Sequence, residues 1–264
     1  MPEHELLGTR LKGDLACIAR AADAGIVSVA AAAKAMRTTR MEAAQRLAAL
    51  AKAGWLARLR RGVYLVLPLE AASGTVTTVE DPWVLASVLY PPCYIGGWTA
   101  AEHWGLTEQL FRSTFVATSG NVRAREQVIL GASFRLVRVK PGRLSNLARV
   151  WRGSNQVGIS SPERTLIDAA IDPAWLGGFR HFADVFSTYI QSGKEEDVLL
   201  ELGRSGTGAA AKRIGFLAEQ LWPGASALIS GAQDLKSTGV IKLEPASRRS
   251  GRMNTRWGVW VNVA

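Results

Sequence analysis

The sequence predicts an α+β chain in two parts, a short N-terminal unit of helices closed by a basic hairpin and a larger mixed α/β domain after it. Three observations carry that expectation. Residues 38–67 read as a capped amphipathic helix followed by two short strands. Apolar periodicity lapses over residues 70–75, ahead of Asp81-Pro82, which places a linker there and domains at 1–70 and 76–264. From Asp81 onward, helical and extended patterns alternate.

The helix in the first of these is the most informative element. Thr39 and Glu42 have the spacing of a capping box, in which hydroxyl and carboxylate satisfy orphan amides of the first turn, so the helix starts near Arg40. At about 100° per residue, Ala43, Ala44, Leu47, Leu50 and Ala51 share one direction, while Glu42, Gln45, Ala49 and Lys52 lie opposite. One face packs and the other is offered outward. Gly54 is the stop, because glycine adopts the left-handed conformation after a helix without a Cβ penalty. Beyond it, Arg58-Leu59-Arg60 alternates outward charge with inward Leu, Arg61-Gly62 fits a tight turn, and residues 63–67 return as a strand that Pro68 ends.

Upstream, residues 6–22 form a helical pattern with Leu7, Leu11, Leu15 and Ile18 at apolar positions and Gly25 closing it. Residues 28–36 are a second, short helix made mostly of alanine, and Arg37-Thr38 is the turn into the third. Helix, short helix, turn, helix, basic hairpin is the order of a winged helix-turn-helix. Residues 1–70 hold eleven Lys/Arg against six Asp/Glu, and the excess sits on the third helix and the hairpin, the elements that meet a duplex in such a motif. Thr38, Thr39, Arg40, Gln45, Arg46 and Lys52 of the helix and Arg58, Arg60 and Arg61 of the hairpin are therefore the expected DNA contacts. The partner is double-stranded DNA, with inverted repeats expected in an operator.

Composition narrows the classes. A net charge of +10 and a pI near 10.1 favour a polyanion as partner, although a membrane surface would satisfy the same field. No apolar stretch approaches the roughly 18 residues of a membrane span, and the first residues lack the features of a signal peptide, so a cytoplasmic, nucleoid-associated protein is expected. Cys17 and Cys93 fall in different expected domains, which predicts reduced thiols rather than a disulfide framework. His4, His103 and His181 have no metal-ligand spacing, and no metal or cofactor is expected.

In the second domain, Asp81-Pro82 opens a helix over residues 83–89 and Pro91-Pro92 stops it. A strand at 93–95, a Gly96-Gly97 turn and a helix at 98–104 follow, with strands at 114–118, 134–139 and 257–262. Phe134, Leu136 and Val137 or Val139 are expected inward, with Arg135 and Arg138 in water. Ser161-Pro162-Glu163 opens another helix, in which Arg164 and Asp168 make an i,i+4 ion pair. Glu163, Arg164 and Asp168 also have the look of an acid–base cluster. A first-turn carboxylate that complements the helix dipole explains Glu163 without catalysis, and no enzymatic activity is expected. Gly206-Thr207-Gly208-Ala209-Ala210-Ala211 matches a loose dinucleotide pattern, but a helix precedes it and Glu219 comes too early, so a helix-loop-helix corner is expected instead. Arg248, Arg249, Arg252 and Arg256 crowd a C-terminal loop, which is either a solvated loop or a second DNA contact through phosphates.

Several segments in this order resemble the AbiEi-type antitoxins of type IV toxin–antitoxin systems. They are Arg60–Tyr64, Tyr94–Leu106, Ser161–Asp168 and Lys212–Leu217, which together span most of the chain. The resemblance implies a winged helix-turn-helix repressor of its own operon, joined to a C-terminal domain that counters a nucleotidyltransferase-like toxin without a stable toxin complex. A transcription factor with a small-ligand-sensing C-terminal domain is the alternative, and a polar pocket between Gly96-Gly97 and the 161–171 helix would favour it.

Overall fold

The computed structural model describes residues 9–22, 25–67, 81–153 and 155–263. The expectations for His4, Leu6, Leu7, Pro68 and the linker at 70–75 lie outside these residues, as does that for the side chain of Leu11. The fold is mixed α+β and divides into two compact units, residues 1–89 with 128–132, and residues 90–127 with 133–264. No helix among the described residues is long and apolar enough to cross a membrane.

The first unit begins with α1 (Thr9–Ala21), β1 (Ile26–Ser28), α2 (Val29–Ala35) and α3 (Arg40–Lys52). β2 (Leu56–Arg60), β3 (Val63–Val66) and α4 (Pro82–Leu89) complete it. Ser28 caps α2 by accepting from the Ala31 amide at 3.1 Å. β1 is an addition to the sequence reading: three residues are too few for alternation to register, yet they pair Ile26 with Leu65 and close an antiparallel sheet in the order β1-β3-β2. Ile18, Val27, Ala32, Ala43, Leu47, Leu50, Leu56 and Tyr64 form one core. The alanines of α2 let α3 approach closely, and the two helices pack together. Asp81 caps α4 through the Trp83 amide at 2.8 Å, as expected, but α4 groups with the first unit rather than opening the second.

The second unit is built around a sheet in the order β6-β7-β5-β4-β9-β8. Its strands are β4 (Cys93–Ile95), β5 (Ser113–Thr118), β6 (Glu126–Ile129), β7 (Ala132–Arg138), β8 (Ala148–Arg152) and β9 (Asn155–Ile159). The tip of the β6-β7 hairpin, residues 128–132, belongs to the first unit. β5 and β7 run parallel, β4 lies antiparallel to β5 and parallel to β9, and β8 returns antiparallel as the edge. Phe134 and Leu136 are buried as expected, while Arg135 pairs with Glu126 at 2.7 Å instead of standing free in water.

Around the sheet lie α5 (Gly97–His103), α6 (Pro162–Ile171), α7 (Phe179–Ile190), α8 (Glu195–Ser205), α9 (Gly208–Leu221) and α10 (Ser226–Leu235). Gly97 has φ +53°, and a Cβ there would meet the Trp175 carbonyl at 2.5 Å, so the motif glycine is fixed by a helix start pressed against its neighbours. The 206–211 pattern is a corner: α8 ends at Ser205, Thr207 accepts from the Ala210 amide at 3.2 Å, and α9 begins. A small sheet of β10 (Ile241–Lys242), β11 (Arg252–Asn254) and β12 (Val259–Val261), in the order β10-β12-β11, closes over α9 through Trp257, whose ring leaves no room for a Cβ at Gly215.

Candidate nucleic-acid interface

The N-terminus of α3 carries both halves of the expected capping box. The Thr39 hydroxyl accepts from the Glu42 amide at 3.2 Å, and the Glu42 carboxylate accepts from the Thr39 amide at 3.1 Å. The Thr38 hydroxyl adds a further donor to the same carboxylate. The Thr38 hydroxyl first, then the Thr39 amide and the Thr39 hydroxyl, which lies 3.1 Å from the same carboxylate, hold the Glu42 carboxyl below its ordinary pKa although the side chain is exposed. Past the last turn, Gly54 takes φ +81°.

The two faces of α3 divide as its periodicity predicts. Ala43, Leu47 and Leu50 are buried, Ala44 and Ala51 are half-buried, and Arg40, Glu42, Gln45, Ala49 and Lys52 are exposed. Met41 joins the outer face with 71 % of its surface open. An exposed methionine beside Arg40 and Gln45 is an apolar contact that the sequence reading did not single out. Arg40, Gln45 and Lys52 have no hydrogen-bond or ion-pair partner among the described residues. Arg46 differs from them: its guanidinium pairs with Asp14 of α1 at 3.0 Å and is half-buried, so within the fold it ties α3 to α1. Thr38 and Thr39 are likewise engaged, as caps.

The turn into α3 is tight. The Thr38 amide donates to the Ala33 carbonyl at 3.0 Å, and Arg37 sits between them at φ 52°, a conformation uncommon for a residue with a side chain. Arg37 is exposed beside Arg40, and the sequence reading assigned it to the turn alone.

The β2-β3 hairpin places the other arginines. Leu56 pairs with Val66 and Arg58 with Tyr64, but Arg60 pairs with Val63, so the register slips at Leu59. Strict alternation would send Leu56 and Arg58 to the same face. The irregularity resolves the conflict by burying Leu59 while Arg58 and Arg60 stay exposed. Arg61 and Gly62 form the two-residue turn, with Gly62 at φ +77° and its carbonyl accepting from the Val29 amide at 2.9 Å. Arg58, Arg60 and Arg61 are exposed.

In the second unit, Arg248, Arg249, Arg252 and Arg256 are all exposed. Arg256 pairs with Glu219 at 2.7 Å and stands over the Trp257 ring, while the Trp257 indole donates to the same carboxylate at 2.6 Å. Arg249 lies at the rim of an open cavity of about 410 Å³, lined also by Gly178, Arg180, His181, Glu244 and Asn262. There the N-terminus of α7 already holds an anion, since Glu244 accepts from the Phe179 amide at 2.7 Å. Where the ligand-sensing alternative would be favoured by a polar pocket, at Gly96-Gly97, side chains pack closely: Trp175 and Phe115 close on Gly97, and Tyr94 and Trp175 on Gly96. Aromatic residues scattered through the sequence fill a space that the two glycines alone would leave open.

The residues that suggested acid–base chemistry form a closed polar network. The Arg164 guanidinium donates to Asp168 at 2.8 Å, the Tyr94 hydroxyl donates to the other carboxylate oxygen at 2.7 Å, and Arg143 also pairs with Asp168. Arg164 reaches Glu201 at 3.5 Å and donates to the Arg143 carbonyl at 2.8 Å. Burial would depress the Arg164 guanidinium, but Asp168 and the groups around it outweigh that and raise its pKa. Burial, then the Asp168 charge, raises the Tyr94 hydroxyl well above its ordinary range. Arg164 and Asp168 form the expected i,i+4 ion pair, and both are buried. Glu163 accepts from Ser161 at 2.9 Å and from Tyr189 at 3.0 Å. Among the described residues, no three His, Cys, Asp or Glu side chains gather as a metal set. Cys17 and Cys93 are half-buried thiols outside any disulfide, and burial pushes Cys93 up to about 12.

No family model and no curated protein matches the sequence. Among solved structures the chain is similar to the Rv2827c protein of Mycobacterium tuberculosis, with 16 % identity over 96 % of this chain and 92 % of that one and a TM-score of 0.60. That likeness shows a shared fold across nearly the whole chain.

Proposed function

We propose that the first unit is a winged helix-turn-helix, with α3 as the recognition helix and β2-β3 as the wing, and that the protein is a DNA-binding transcriptional repressor. The observation that carries this reading is the outer face of α3, where Arg40, Met41, Gln45 and Lys52 stand exposed beside a hairpin bearing Arg58, Arg60 and Arg61. A helix of 13 residues with this face outward can enter a major groove, where Arg and Gln read guanine and adenine edges. Arg46, Thr38 and Thr39 have supporting parts in this reading, holding α3 in place through Asp14 and Glu42. The test is operator affinity by fluorescence anisotropy at fixed salt. Arg40→Ala with Gln45→Ala should weaken specific binding while leaving the thermal unfolding curve in place. Unchanged affinity would remove α3 as the reading element.

The antitoxin role rests on the resemblance in motif order, and it places toxin neutralisation in the second unit. Co-expression of the full chain with a neighbouring nucleotidyltransferase should restore growth, and the Arg40→Ala, Gln45→Ala chain should protect equally well while losing repression. Failure of the intact chain to protect leaves a plain repressor. The ligand-sensing alternative draws its support from the cavity beside α7, although Glu244 already occupies the helix end there.

A further inference from the structure

Charge is distributed unevenly along the sequence. Residues 62–108 contain five Asp/Glu and no Lys or Arg, whereas residues 109–162 contain nine Lys/Arg and only Glu126 as an acid. Arg135 is committed within the fold to Glu126, and Arg143 to Asp168. Arg123, Arg125, Arg138, Lys140 and Arg149 are exposed and have no ion-pair partner among the described residues.

The strand registers gather most of these at one end of the sheet. Cys93 pairs with Thr118 and Thr118 with Arg138, so β5 and β7 finish where β4 starts. β9 runs parallel to β4, and Arg152 pairs with Asn155, so the β8-β9 turn reaches that same end. The loop from β5 to β6 carries Arg123 and Arg125, β7 finishes in Arg138 and leads to Lys140, and the turn follows Trp151 and Arg152. Trp151 is 66 % exposed on the edge strand. Its cross-strand neighbour is the exposed Gln156, and Arg149, two residues back, faces the same way.

A tryptophan this open beside the exposed Arg149 is a stacking platform within a positive field. Bases inside a duplex are stacked on one another and cannot offer their faces to it, whereas those of a single strand can. A second copy of this chain docking on the edge would bring like charges together. The side-chain amide of Gln156, across the strand pair from the ring, suits the 2′-hydroxyl of a ribose, which both donates and accepts. We propose that this end of the sheet binds single-stranded RNA, with Trp151 stacking on a base and Arg149, Arg138, Lys140, Arg123 and Arg125 contacting phosphates. Its residues are other than those of α3 and β2-β3, and the proposal does not depend on the repressor reading.

The test uses the full chain and labelled RNA of about 12 nucleotides, against DNA of the same sequence as a single strand and as a duplex, by anisotropy at several salt concentrations. The RNA should bind more tightly than the single-stranded DNA, and Trp151→Ala should leave duplex binding unchanged. Trp151→Ala should weaken RNA binding by about 5- to 150-fold, Trp151→Phe should recover most of it, and neither should alter operator affinity. Arg138→Ala with Lys140→Ala should lower the salt slope by about 0.7 per lost contact. Because Trp151 is exposed, thermal unfolding should not move, which separates a lost ligand contact from a lost fold. Tighter binding of the single-stranded DNA than of the RNA, or RNA affinity indifferent to Trp151→Ala, would overturn the proposal. A Trp151→Ala chain that changes sedimentation but not RNA affinity would reassign the edge to self-association.

Discussion

Arginine serves opposite purposes at the surface of the first unit and in the core of the second. On α3 and the β2-β3 hairpin, Arg40, Arg58, Arg60 and Arg61 stand in water. In the second unit, Arg164 and Arg213 are almost wholly buried, at 2 % and 4 % exposed. Arg213 donates to the carbonyls of Ala170 at 2.8 Å, Lys242 at 2.7 Å and Leu243 at 3.1 Å, and burial lowers its pKa despite Asp172 and Glu244 nearby. Lys212 beside it donates to the Gly239 carbonyl. An exposed cation adds little to folding and remains available to a partner, whereas a buried one must be satisfied on every side or it destabilises the fold. A count of basic residues therefore says little about binding until each has been placed.

The comparison breaks most visibly at Arg164. Replacing it with Met leaves Asp168 and Glu201 short of a partner in the interior, where removing one member of a buried pair costs about 3–5 kcal/mol. Urea unfolding should show that loss, while α3 keeps its operator affinity in whatever fraction remains folded. A loss below about 1 kcal/mol would mean that the network tolerates a gap and that Arg164 behaves like a surface residue.

Gly215→Ala should be the next largest. Its Cβ would fall 2.0 Å from the Trp257 ring, and overpacking of this kind costs about 1–3 kcal/mol. Gly203→Ala, on the exposed side of α8 with open space around it, is the control and should hold or gain stability. Equal effects at the two glycines would deny the close approach of α9 to Trp257.

At the hairpin the expected signs reverse. Arg58→Ala, Arg60→Ala and Arg61→Ala should each leave stability within about 0.5 kcal/mol and reduce the salt slope of DNA binding by about 0.9 per lost phosphate contact. A slope equal to that of the parent chain would show that these side chains merely face solvent.

The same contrast explains what could be read before the structure. The face of α3, its cap at Thr39 and its stop at Gly54 are local, set by residues three or four apart, and the sequence displays them. The engagement of Arg46 depends on Asp14, 32 residues away, and no local pattern records it. The segments that carry the family resemblance show the same limit. Trp98 and Trp104 donate to the Ser113 and Ser160 carbonyls, each at 2.7 Å, Thr99 accepts from the Phe115 amide at 2.8 Å, and Lys212 and Arg213 are buried. These motif residues are framework, so their order speaks for a fold. The β8-β9 hairpin was missed because its exposed Arg149 and Trp151 alternate with half-buried residues, giving a weak apolar signal.

The smallest expected effect is at Glu42, the exposed carboxylate that starts α3. Hydrogen bonds from Thr38 and Thr39 favour its ionised form in the folded chain and lower its pKa relative to the unfolded one. A depressed carboxylate contributes stability that is present above its unfolded value, about 4.3, and is lost as pH falls through the lower folded value. Other carboxylates titrate in that window, so the informative quantity is the difference between the parent chain and Glu42→Gln. Glutamine keeps the reach of a capping box without the charge. Acidification from about pH 6 to about pH 3 should therefore cost the parent chain more than the variant, with the gap narrowing when Thr38→Val removes the leading donor. Parallel urea midpoints across that range would mean that the cap stabilises α3 through geometry alone, with no contribution from the charge.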